Sequence, residues 1–258
     1  YLNFCDKLNL QYKKINPKKF FYKNKNIEGI IKVREPIYDW NLLKKEILIK
    51  LNRFKNNKIY LNVKSFNLTK IKNYYKFDCS QLNEKFDIII DAAYEGSSHI
   101  QSKVFKSLEK YKYQKTCVYE FTFSDQRKFG FCLMDGKFFS FLPNGINNSL
   151  LFYDVEYSIL KQENRNIYNK KWYKQNYEKK INLNLKKIKI KIKKYFPKIK
   201  INFFNKVYIS PRVLLLNVEK TDKRISIIKK PKKNYFKIFS AKVDHCMDIA
   251  NKIEKIIK

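Results

Sequence analysis

The segment Phe86-Asp87-Ile88-Ile89-Ile90-Asp91-Ala92-Ala93-Tyr94 constrains the fold more than any other stretch of this 258-residue chain. Phe86 and Ile88–Ile90 make a nearly continuous apolar run, the pattern of a strand covered on both faces, and the run ends in small residues. In open α/β sheets the C-terminal ends of such strands are where ligands bind. Upstream, Asp39 stands as an N-cap. Trp40, Leu43, Ile47, Leu48 and Leu51 then recur at helical spacing and predict a helix over about 40–54. A helix followed by buried strands points to an α/β core.

The remaining elements follow from periodicity and turn residues. Residues 1–37 read as strand and turn, with Phe20–Tyr22 and Gly29–Pro36 extended. Lys58–Val63, Ser65–Ile71 and Tyr74–Cys79 are three short strand candidates. Val118–Phe123 alternates with period two. Phe131–Met134 and Phe138–Pro143 flank an Asp135-Gly136 turn, and Leu150–Ser158 supplies a further strand, so 115–160 predicts an antiparallel sheet. A helix over about 182–195 ends near Pro197, although Ile188, Ile190 and Ile192 alternate with lysines as a strand would. Strands are expected at Asn205–Ile209, Val213–Val218, Arg224–Ile228 and Tyr235–Phe239. A last helix over about 243–257 carries a stripe of Met247, Ala250, Ile253 and Ile257.

Composition closes off several function classes. With 57 Lys+Arg against 23 Asp+Glu the formal net charge is +34. That invites a polyanion partner, because cations on phosphates release counterions. Yet the lysines run through the whole chain beside abundant Asn, Ile, Tyr and Phe, as codon bias toward A and T produces. Arginine, the residue suited to bidentate phosphate and base contacts, is scarce. The balance favours bias over a dedicated nucleic-acid surface, leaving nonspecific attraction to anions. The five cysteines (Cys5, Cys79, Cys117, Cys132, Cys246) are scattered without a C-x-x-C pair, and only His99 and His245 accompany them. Neither a disulfide framework nor a zinc site is expected. No run approaches a membrane span, and no basic-then-apolar leader opens the chain, so a cytoplasmic protein is the expectation.

Five segments, in order, resemble the later part of flavin-dependent oxidoreductases of the D-amino-acid-oxidase-like family. They are Gly29–Glu35 with its following helix; Phe86–Tyr94; Met134–Pro143 with Asp154–Ser158; Lys194–Pro197; and Arg212–Leu216 through Asp222–Ile225 to Phe239–Asp244. The resemblance implies an α/β (α+β) molecule: the remainder of a Rossmann-like FAD-binding domain plus a mixed, largely antiparallel β-sheet substrate domain. It implies substrate-domain strands at 1–37, part of the FAD domain at 38–105, the substrate sheet at 106–212, and a return to the FAD domain at 213–258. The implied cofactor is FAD. The implied reaction is oxidation of a C–N bond in an amine or amino-acid-like small molecule by hydride transfer to the flavin.

Carried over residue by residue, the resemblance assigns Val63, Ser65, Ala92, Ala93, Ser240, Ala241, Lys242, Val243 and Asp244 to the cofactor. Ser140, Tyr157 and Arg212 go to the substrate, no catalytic residue is named, and no metal is expected. Each has a plain structural reading as well: an N-cap at 240–244, close packing at Ala92 and Ala93, a surface ion pair at Arg212. Two departures matter. Ser240-Ala241 stands where relatives carry Gly-Gly, and Ala93-Tyr94 where Thr and Gly are common. The glycines at 29, 96, 130, 136 and 145 also cannot form the Gly-x-Gly-x-x-Gly turn that grips a pyrophosphate. The chain, which starts at Tyr1, is therefore expected to be a fragment without the first βαβ unit, and to bind FAD poorly by itself. Two other functions stay open: a basic nucleic-acid or polyanion-binding protein, and an inactive scaffold of flavoprotein descent.

Overall fold

The computed structural model describes residues 2–17, 27–34, 36–123, 129–134, 137–145, 149–197, 200–216, 225–240 and 242–258; for 202–205 it describes the backbone alone. The expected strand at 20–22, the 135–136 turn and the stretch 217–224 lie outside these residues. In chain order the elements begin with α1 (Leu2–Lys7), β1 (Tyr12–Ile15), β2 (Ile30–Val33) and α2 (Trp40–Asn52). There follow β3 (Phe66–Ile71), β4 (Tyr74–Cys79), β5 (Leu82–Phe86), β6 (Ile89–Asp91), α3 (Ser97–Gln101) and β7 (Tyr111–Phe123). Next come β8 (Phe131–Cys132), β9 (Phe139–Pro143), β10 (Leu150–Asp154), β11 (Ile159–Arg165), α4 (Lys171–Lys174) and α5 (Glu178–Tyr195). The chain closes with β12 (Ile201–Leu214), β13 (Ile227–Lys232), β14 (Tyr235–Phe239) and α6 (Cys246–Ile257). The class is mixed α/β with several antiparallel sheets.

The chain divides into two compact units, each assembled from three separate stretches: 1–55, 117–160 and 177–209 in the first; 56–116, 161–176 and 210–258 in the second. In the first unit, β8, β9, β10 and β7 pair antiparallel in that order, as the alternation in 115–160 predicts. Alternate residues of these strands point one way. Tyr119, Phe121, Phe139, Phe141 and Phe152 are fully buried, and α5 covers them with Ile188 and Ile192. The rings meet edge-on or stacked, as between Phe139 and Phe152 (5.4 Å between centroids) and Phe141 and Phe196 (5.5 Å). Lys191 on α5 adds a polar tie, its Nζ 2.5 Å from the fully buried Asp154 carboxylate.

The helix expected over about 182–195 forms, as Glu178–Tyr195, against the alternation of Ile188, Ile190 and Ile192 with lysines. Ile188 and Ile192, one turn apart, face the sheet, while Ile190 points outward at 71% exposure. Helix α2 forms where Asp39 predicts it, and Asp39 Oδ1 accepts hydrogen bonds from the amides of Asn41 (2.8 Å) and Leu42 (3.1 Å). Gly145, in the left-handed region at φ +57°, lies against that same carboxylate, so a side chain there would collide with the cap. The apolar stripe of α2 does not form core: none of the helix's residues is buried.

In the second unit, β3, β4 and β5 form an antiparallel meander. A second sheet has the order β13–β14–β6, with β13 antiparallel and β6 parallel to β14. Leu68, Tyr75 and Tyr235 form one core cluster, with Ile89, Ile100 and Phe105 packed on it. Tyr111, Tyr113, Tyr168, Trp172, Val213 and Phe239 form another. Three expectations change. Phe86 closes the meander rather than opening the next strand, and β6 is three residues long with Ile90 at 48% exposure, so it is not covered on both faces. The run Lys58–Val63 is irregular, broken by Asn62 at φ +59°, and the strand after it begins only at Phe66. Helix α6 buries Ile249 and Ile253: of the expected stripe Ile253 is buried, whereas Met247 (66% exposed), Ala250 and Ile257 face outward.

Candidate dinucleotide site at the ends of two parallel strands

The second unit brings together the two small-residue stretches that stand far apart in sequence. β6 and β14 run parallel in the register Ile89–Tyr235, Ile90–Phe236 and Asp91–Lys237. Both chains therefore leave the sheet at one edge, β6 through Ala92 and Ala93, β14 through Ser240. Each exit winds into helix within a few residues. Tyr94–Gly96 forms a 3₁₀ turn ahead of α3, with Tyr94 at φ +53°, and Val243–His245 forms another ahead of α6. Ala92, Ala93, Lys242, Val243 and Asp244 are exposed there and Ser240 is half-buried. Ala241 lies outside the described residues.

A buried polar anchor holds the β6 exit in place. Asp91 is 3% exposed, and its Oδ2 accepts from Ser97 Oγ (2.6 Å), Tyr235 OH (2.9 Å) and Gln101 Nε2 (3.3 Å). Its Oδ1 accepts from the Ala93 amide at 3.2 Å and so shapes the turn where the small residues sit. The network continues from Gln101 Oε1 to Lys237 Nζ (3.3 Å), and Lys237 also donates to Tyr111 OH (2.8 Å) and Glu109 Oε2 (3.2 Å). Burial pushes the Glu109 carboxyl up, but Lys229, Tyr111 and Lys237 outweigh it and bring it down to about 2. Burial holds the Lys237 ammonium below its usual range against the pull of Glu109.

The β14 exit carries a second hydrogen-bond chain. Ser226 Oγ lies 2.8 Å from His245 Nδ1 and 3.0 Å from Ser240 Oγ, and Ser240 Oγ donates to the Lys242 carbonyl at 2.9 Å. Each hydroxyl has one proton. In the Ser226–Ser240 and Ser226–His245 contacts either partner can be the donor, the second depending on the imidazole tautomer.

The other site expectations divide between the units. Val63, half-buried, and Ser65, exposed, precede β3 and belong with the meander, where Gln81 Nε2 holds the neighbouring Leu61 carbonyl at 3.1 Å. The β3–β5 sheet is separate from the one that holds β6 and β14. Arg212, half-buried, is in the second unit on β12. Ser140 and Tyr157 are in the first. Ser140 sits in β9 opposite Cys132 and Tyr153. Tyr157 pins α5 to the sheet: its carbonyl accepts from Asn184 Nδ2 (2.9 Å) and Tyr119 OH (3.4 Å), and Lys187 and Lys191 lie over its ring, each 5.6 Å from the centroid. Sequence reasoning missed Asp91 as an anchor and Ser226 as the partner of His245. Asp91 carried a signal, a lone carboxylate closing an apolar strand; Ser226 carried none.

Among the described residues no group of three or more His, Cys, Asp or Glu side chains is arranged to hold a metal ion, and no helix is long and apolar enough to cross a membrane. The chain matches no model of a known protein family, and no curated protein matches it.

Proposed function

We propose that this chain belongs to an FAD-dependent oxidoreductase that oxidises a C–N bond of an amine or amino-acid-like substrate. The observation that carries the reading is the parallel pairing of β6 with β14, which directs Ala92–Ala93, Ser240 and Lys242–Asp244 to one sheet edge. Parallel strand ends followed by helix starts are where α/β sheets take up dinucleotides.

The residues present fit one part of the cofactor better than another. Ala92 and Ala93 are exposed and small enough for a planar ring to approach the backbone. The α6 start offers amide donors, but Asp244 and Asp248 stand in the first turns there, and their carboxylates oppose a phosphate. This edge suits a neutral, hydrogen-bonding ring, and the diphosphate grip is the part the sequence lacks. When bound, the flavin supplies the hydride acceptor. The chain's own residues hold the ring through the backbone at Ser240 and Lys242–Asp244, leave room for it at Ala92 and Ala93, and offer Arg212 to a substrate carboxylate.

The test is a titration of the 258-residue chain with FAD, read by the visible spectrum and by flavin fluorescence. Weak, saturable binding is expected. Ala93→Trp should abolish it without changing the far-UV circular dichroism, because the new ring fills the exit of β6. The net charge of +34 supports the polyanion alternative. A chain that ignores FAD but binds DNA with a steep salt dependence establishes that alternative instead.

A further inference from the structure

We propose that helix α2 docks on an anionic lipid surface, laying Trp40, Ile47, Leu48, Leu51 and Phe54 among the upper acyl chains and its cations among the phosphates. Of the three long helices among the described residues, α5 buries Ile188 and Ile192 and α6 buries Ile249 and Ile253, whereas α2 buries none of its residues. The five apolar side chains are each between 38% and 65% exposed. They recur at helical spacing along one side of α2, with Phe54 just past its C-terminal end. The helix is nonetheless fixed at its start: Asp39 caps it, and Gly145 lies against the capping carboxylate. A helix of 13 residues is marginal in water on its backbone bonds alone, so the exposed face calls for a partner.

Charge identifies that partner. Trp40–Lys55 holds five cations, Lys44, Lys45, Lys50, Arg53 and Lys55, against one acid, Glu46, and all six are exposed. A second copy of the chain, itself at +34, would be repelled. An acidic protein groove answers the charge but not the position of Lys44, which stands one turn from Trp40 and one turn from Leu48, inside the apolar face. In a closed groove its ammonium would be sealed from water and would need a buried acid beside it. At a lipid surface its stem lies along the acyl chains while the ammonium reaches up to a phosphate. Leucine and isoleucine interleaved with lysine, with a tryptophan at one end, suit a helix that lies in the headgroup layer. The contact is independent of the cofactor reading: it supplies a partner, not a reaction.

The experiment mixes the full chain with phosphatidylcholine vesicles, with and without about a third phosphatidylglycerol, whose acyl chains carry bromine, and follows tryptophan emission. Bromine quenches only what reaches the acyl layer, and Trp172, sealed in the core, supplies a constant background. The anionic vesicles should quench the emission and shift it to the blue, and Trp40→Phe should lose both responses. Ile47→Lys combined with Leu51→Lys adds positive charge and removes apolar area at exposed positions, so the far-UV circular dichroism should stay that of wild type. The double variant should sediment with vesicles more than about tenfold more weakly and show no quenching. Adhesion by charge alone gives the opposite result: the vesicles carry the protein down without quenching Trp40, and the double variant binds as well or better. That result overturns the inference. So does an equal response to uncharged vesicles, or a lipid-free dimer that shields Trp40 from acrylamide. Wild-type protein that ignores the vesicles overturns it too and leaves α2 to an acidic protein or a nucleic acid. Should the double variant fail to fold, the wild-type and Trp40→Phe spectra decide.

Discussion

Asp91 shows how much structure one buried carboxylate can organise. Four donors converge on it from the turn that follows it, from α3 and from β14, and removing it would take the acceptor from the buried Ser97 and Tyr235 hydroxyls. Asp91→Ala should cost about 3 kcal/mol in urea unfolding, the scale of losing hydrogen bonds to a charged group. Glu109 gives a pH signature. Its folded value of about 2 lies below the ordinary 4.5, so as pH falls the unfolded chain takes up this proton first. The stabilisation is whole above about 4.5 and fades as the pH falls toward 2. The stability gap between wild type and Glu109→Gln should therefore close across that window in acid titrations followed by circular dichroism.

At the scale of elements, α5 separates two readings of one segment. Ile188 and Ile192 are buried and Ile190 is not, so Ile188→Ala should destabilise by about 3 kcal/mol. Ile190→Ala should stay within about 0.5 kcal/mol, measured side by side in denaturant. A strand would have made all three alike. Alternation with lysine counted against the helix only because lysine fills any solvated position in this composition, so a polar residue between two isoleucines marks exposure and not period. Where a local signal existed, the element was legible: the Asp39 cap, the antiparallel run 115–160, and Tyr235–Phe239 leading into a helix. β6 was legible by its apolar run but not by its bounds, because Phe86 belongs to the meander through its pairing with Tyr75, a contact no window on 86–94 contains. Within the candidate site, the small residues could be picked out by type. The Ser226–His245 pair could not, because it joins residues nineteen apart in sequence through side chains that carry no pattern.

The molecule as a whole interleaves its two units along the chain, each drawing on three stretches. Neither can close until distant parts of the sequence have met, which raises the loop-closure cost of folding. The fragment 56–116, although it holds the whole β3–β5 meander, lacks β14, whose Tyr235 sits in the same core cluster. It should be largely unfolded by circular dichroism and by amide chemical-shift dispersion. The chain's two tryptophans fall one in each unit: Trp40 stands on α2 at 54% exposure and Trp172 is sealed at 1%. Nature has thereby supplied an optical label for each half. Acrylamide should quench the emission of the first and spare the second. In Trp40→Phe the remaining fluorescence becomes a private signal of the half that carries the parallel strands, able to follow its melting or its response to an added cofactor without interference from the other.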